Sequence, residues 1–100
     1  MQEIDITEAA TAHENGATFI DVREPSEYAD GHVPGARNIP MGQVNDRIDE
    51  VDRSSRVHVV CASGNRSGVV TEQLISAGYD AVNVQGGTSA WIESGRPVEK

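Results

Sequence analysis

Residues 56–70 read Arg56-Val57-His58-Val59-Val60-Cys61-Ala62-Ser63-Gly64-Asn65-Arg66-Ser67-Gly68-Val69-Val70. A run rich in branched side chains ends at the chain's one cysteine. Small and polar residues follow, then apolar positions resume at Val69, Val70, Leu74 and Ile75, with Gly78 as a stop. The pattern is strand, tight loop, helix, and the strand is dense enough to be buried on both faces, as in a parallel sheet. Cys61 falls where that strand ends, and ligands of open α/β sheets bind outside the carboxyl ends of strands. Gly64 and Asn65 tolerate positive φ, so the loop can curl and turn successive N–H groups inward. A helix expected to begin near Ser67 adds unpaired N–H groups and positive partial charge. Arg66 supplies a full charge. Cys61 is thus the candidate nucleophile, Ala62, Ser63, Gly64, Asn65 and Arg66 the candidate anion cradle, and Ser67 a supporting residue. In such a setting the thiol pKa falls, and the thiolate is activated without a histidine base.

Outward from this stretch, further strands are expected at Ile4-Asp5-Ile6, Thr18-Phe19-Ile20-Asp21-Val22, Asn38-Ile39 and Ala81-Val82-Asn83-Val84. Helices are expected between them. One is capped by Thr7 and runs through His13, with Asn15-Gly16 as its stop, and one runs from Pro25 to Ala29. One carries Val44, Ile48 and Val51 on a single face, and a last one opens at Thr88 or Ser89 and holds Trp91 and Ile92. Strands interleaved with helices of this length predict an α/β fold built of βαβ units around a central, mainly parallel five-stranded sheet. At 100 residues the chain fits one domain, 1–100, and can bury enough apolar surface to fold without a metal or disulfide.

Acids outnumber bases 16 to 8, for a net charge of −8. That balance and the four aromatic residues argue against a nucleic-acid partner. A single cysteine excludes an internal disulfide and a cysteine-rich zinc site. Three scattered histidines make no metal site, and no motif calls for a cofactor. No apolar run approaches a membrane span and the N-terminus lacks an apolar signal core, so a cytoplasmic, reducing-compartment protein with no membrane partner is expected. Asp21 and Arg23, at a strand end, are each read first as structural residues that fix neighbouring loops through charge-assisted hydrogen bonds and second as site-supporting residues. His32, beside Gly31 and Pro34, is read as a loop-fixing partner. His58 should face away from Cys61, and His13 should be exposed.

The sequence resembles the rhodanese-like domain family over essentially its whole length. Asp21-Val22-Arg23-Glu24-Pro25 through Glu27-Tyr28 is similar to the first family signature, and Gly31-His32-Val33-Pro34-Gly35-Ala36-Arg37-Asn38-Ile39-Pro40 to the second. Cys61 to Arg66 stands where the family has its active-site loop, and Gly86-Gly87 followed by Trp91 resembles its C-terminal element. The resemblance implies a three-layer fold, with helices on both faces of the sheet, and a single-domain sulfurtransferase of the thiosulfate type. Cys61 would take the sulfane sulfur of a small sulfur-containing anion as a persulfide. It would then pass that sulfur to cyanide, a small thiol or an acceptor protein. Many active members carry a basic residue directly after the cysteine; Ala62 stands there here, which favours a persulfide or thiol-type donor.

Two other classes compete. Phosphatases and arsenate reductases that share the fold place five residues between cysteine and arginine. Here four intervene, a loop too tight for phosphate. Non-catalytic partner-binding or sulfur-relay modules also use the fold, often after losing the cysteine that this chain keeps.

Overall fold

The computed structural model describes residues 1–100. The elements are β1 (Glu3–Ile4), α1 (Ile6–Glu14), β2 (Thr18–Asp21), α2 (Pro25–Ala29), β3 (Arg37–Asn38), two 3-10 turns (Met41–Gln43 and Ile48–Glu50), β4 (Val57–Val60), α3 (Asn65–Ser76), β5 (Ala81–Val84) and α4 (Gly87–Glu93). The five strands form one sheet in the order β1-β5-β4-β2-β3. Every pairing in it is parallel. β4 lies at the centre, with Phe19 opposite His58 on one side and Val59 opposite Asn83 on the other. Central placement explains its lack of polar alternation, because both faces are covered.

Two apolar clusters sandwich the sheet. On one face Val57, Val59 and Cys61 pack with Val70 and Leu74 of α3 and with Val44 and Val51. On the other, Phe19, Val60, Val82 and Val84 pack with Ala9 and Ala10 of α1 and Trp91 of α4. Alternation along β4 therefore sends Cys61 to the α3 face, while His58 stacks on Phe19, with ring centroids 4.9 Å apart. No helix is long and apolar enough to cross a membrane.

Several boundaries differ from the sequence reading. Asp5, not Thr7, caps α1: its carboxylate accepts from the Glu8 amide at 2.9 Å, and Glu8 reaches back to the Asp5 amide at 3.4 Å. This Asp-x-x-Glu capping box draws Ile6 into the helix and shortens β1 to two residues. The expected helix around Val44, Ile48 and Val51 is instead a pair of 3-10 turns. Asn45, Asp46 and Asp49 are poor helix formers, and the acids at 49, 50 and 52 would crowd a helix C-terminus. The apolar spacing still delivers Val44 and Val51 to the core. His13 is half-buried rather than exposed. Its Nε2 lies 2.7 Å from the Pro34 carbonyl and its ring packs edge-on against Phe19 and Trp91.

Candidate active site

Cys61 follows β4 directly, and α3 begins four residues later at Asn65, two residues ahead of the expected start at Ser67. Gly64 is the cap residue, with φ of 109°, a conformation that L side chains rarely adopt. Gly64 alone carries the reversal: no non-glycine residue has positive φ, so Asn65 is an ordinary helical residue. The reversal places Ser67 in the first turn of α3, where its amide has no partner within the helix.

Cys61 is 1% exposed. The Gly64 amide donates to its Sγ at 3.1 Å, and the Ser67 hydroxyl lies 3.3 Å away. Burial pushes the Cys61 thiol up. The Ser67 hydroxyl and the Ser67, Gly64 and Ser63 amides outweigh that effect and hold it below the usual thiol value. Cys61 packs in the α3-face core and also meets two hydrogen-bond donors, which a cysteine serving only for packing would lack.

A second layer, invisible in the sequence reading, holds these donors. Asn83, 1% exposed, interrupts the valines of β5 on the face that carries Cys61. Its Nδ2 donates to Glu3 Oε2 at 2.8 Å and to the Gly64 carbonyl at 3.1 Å. Two acceptors on that side fix the amide's orientation, so Oδ1 faces the Ser67 hydroxyl at 2.5 Å. Ser67 has one proton for two acceptors. With a neutral thiol it donates to Asn83; with a thiolate it turns to sulfur. The signal available in the sequence was an asparagine inside an otherwise buried strand. Ser67→Ala removes this donor, and alkylation of Cys61 by iodoacetamide at neutral pH is expected to slow about fivefold or more. An unchanged rate would assign Ser67 to α3 packing alone.

The start of the loop is anchored from the other side. The Thr88 amide donates to the Cys61 carbonyl at 2.9 Å and the Ser89 amide to the Ala62 carbonyl at 3.0 Å. These are first-turn amides of α4, which opens at Gly87 rather than at Thr88 or Ser89 and is capped by Gly86 with φ of 77°. These two bonds pin the start of the cysteine loop against α4.

Arg66 does not face the sulfur alone. Its Nη1 and Nη2 donate to Glu27 Oε1 and Oε2 at 2.7 and 2.9 Å, a fork-to-fork pair between α3 and α2. Asp21 and Arg23 engage each other. Arg23 Nε donates to both Asp21 oxygens and Nη2 to Oδ2 at 2.8 Å, and Nη2 also donates to the Gly31 carbonyl. Both residues are buried, so the pair is a pin for the β2 turn. His32 is likewise a pin: its Nδ1 is 2.8 Å from the Tyr28 carbonyl and its ring stacks on Tyr28. Trp91 packs in the core, and its Nε1 donates to the Pro97 carbonyl at 2.8 Å.

Comparison with known proteins identifies the family. Residues 5–94 match the rhodanese-like domain. The chain is 36% identical over 92 residues to the thiosulfate sulfurtransferase GlpE of Pseudomonas paraeruginosa, covering 91% of this chain and 84% of that protein. It is 36% identical over 81 residues to a sulfurtransferase of Allochromatium vinosum, covering 80% and 76%. Among solved structures, a rhodanese-related protein of Thermoplasma volcanium superposes with a TM-score of 0.89 at 37% identity, covering 99% of this chain and 98% of that one. The strand order, the cysteine loop after β4 and these matches lead to one assignment: the chain belongs to the rhodanese-like domain family.

Proposed function

We propose that this chain, acting as one domain over residues 1–100, is a sulfurtransferase that carries sulfane sulfur as a persulfide on Cys61. The observation that supports it most is that the Gly64 amide and the Ser67 hydroxyl both lie within hydrogen-bond distance of a cysteine sulfur at the end of β4. In the first step the Cys61 thiolate attacks the outer sulfur of the donor. A new S–S bond forms, the donor's S–S bond breaks, and sulfite leaves with the electron pair when the donor is thiosulfate. In the second step cyanide or a thiolate attacks the outer sulfur, and the Cys61 thiolate is the leaving group. This is two-step covalent catalysis with ping-pong kinetics.

The residues divide by role. Cys61 is the catalytic residue. Ala62 through Arg66 form the loop that receives the donor, with the Ser63 and Gly64 amides on the anionic sulfur. Ser67 adds a switchable hydroxyl, and Asp21 and Arg23 support the loop's surroundings as a structural pin. Cys61 is 1% exposed, while Ser63 in the loop and Asn65 at the start of α3 stand at the surface above it. The four-residue spacing from Cys61 to Arg66 and the pairing of Arg66 with Glu27 favour sulfur over a phosphoryl ester. The test is intact-protein mass spectrometry after incubation with thiosulfate. One sulfur atom should be gained and then removed by cyanide or dithiothreitol; no gain under any sulfane donor would leave a partner-binding module.

A further inference from the structure

Resting on that reading, we propose that Glu27 sets donor choice. It commits the only cation of the cysteine loop to an ion pair, so the site favours sulfane donors with one negative charge over donors with two. Arg66 is the one basic residue between Cys61 and the first turn of α3, and the residue after the cysteine is Ala62. Both terminal nitrogens of Arg66 are taken by the two Glu27 oxygens. The Glu24 amide holds Glu27 Oε1 from behind at 3.0 Å. The Arg66 guanidinium, followed by the Glu24 amide, holds the Glu27 carboxyl at about 2, so the pair stays ionised through the neutral range. The one buried arginine, Arg23, is spent on Asp21 and the Gly31 carbonyl.

What remains around the sulfur is neutral: amides and the Ser67 hydroxyl. Such dipoles suit the single charge of a thiolate or persulfide. They offer no counter-ion for the second charge of thiosulfate, and the chain as a whole carries −8. Glu27 lies on α2, thirty-nine residues before Arg66, and does not reach the sulfur. It acts through Arg66 and is a specificity-determining residue rather than a catalytic one.

The test compares thiosulfate with methanethiosulfonate, in which a methyl group replaces one charged oxygen. Both donate by the same step: the thiolate attacks the outer sulfur and the S–S bond breaks. Sulfite leaves from the first and methanesulfinate from the second. The wild-type protein should show the higher kcat/KM with methanethiosulfonate. Glu27→Gln leaves the Arg66 charge uncompensated. It should raise kcat/KM for thiosulfate about tenfold and for methanethiosulfonate about threefold, because Coulomb attraction scales with donor charge. Ala62→Arg adds an uncommitted cation by an independent route and should shift the ratio the same way, which keeps the test decisive if Glu27→Gln fails to fold. A ratio unchanged in the folded variants overturns the proposal while leaving the sulfurtransferase reading intact. Loading of Cys61 from neither donor in any of the proteins overturns both.

Discussion

Cys61→Ser is expected to keep the fold and to gain no sulfur from thiosulfate or methanethiosulfonate. A serine hydroxyl is not ionised near neutral pH and cannot form a persulfide, so transfer should be abolished rather than reduced. The fold should tolerate the change. Sγ lies within reach of the Gly64 amide, from which a serine oxygen in its place can accept, while the Ser67 hydroxyl keeps its bond to Asn83. The loss should stay within about 2 kcal/mol, because those donors remain paired. Mass spectrometry and a thermal melt on the same sample separate the two effects. Retained sulfur gain would place the acceptor elsewhere, which the composition makes hard to arrange because Cys61 is the only cysteine.

Gly87→Ala is expected to damage stability and transfer together. A Cβ on Gly87 would stand 2.4 Å from the Cys61 carbonyl oxygen and 2.9 Å from the Ala62 carbonyl, all backbone atoms with little room to yield. Its φ of 54° adds left-handed strain, which costs about 1–2 kcal/mol for a residue with a side chain. Relief requires α4 to retreat, and the Thr88 and Ser89 amides then lose the Cys61 and Ala62 carbonyls. Together these effects should cost about 4 kcal/mol and lower the melting temperature by about 20 °C. Sulfur loading at a temperature where the variant is still folded should also fall, since the loop has lost its anchor. A melting temperature within a few degrees of wild type would show that α4 does not press on the loop. Gly87 is thus explained by contact with the backbone of the cysteine loop, and Gly86 by its positive φ and by Ala90, whose Cβ would stand 2.6 Å from a Cβ there.

What was legible in the sequence was local. The branched runs of β2, β4 and β5 identify themselves because burial on both faces leaves no polar alternation. Pro25 with Asp30-Gly31 bounds α2 as expected. The cysteine loop is contiguous, so its residues could be named together. Boundaries fixed by backbone reversal were less legible. Gly64 and Gly86 take positive φ as cap residues, starting α3 and α4 earlier than their polar side chains suggested. The 3-10 turns escaped because an apolar spacing of 4 and 7 reports which side chains are buried, not whether the intervening residues sustain a helix. In the site, the partners across the fold were hidden. Glu27 meets Arg66 and Asn83 meets Ser67 only after α2 and β5 pack beside α3. Arg66 accordingly read as a free charge in the sequence and is a paired one in the fold.

Sulfur transfer at Cys61 requires that loop donors, rather than burial, control its sulfur. The most direct measurement is the rate of Cys61 alkylation by iodoacetamide across pH, on the folded protein. Donors that prevail over desolvation predict a midpoint below that of an ordinary thiol, rising in Ser67→Ala. A midpoint at or above the ordinary value, unmoved by Ser67→Ala, would make Cys61 a packed core residue and contradict the account.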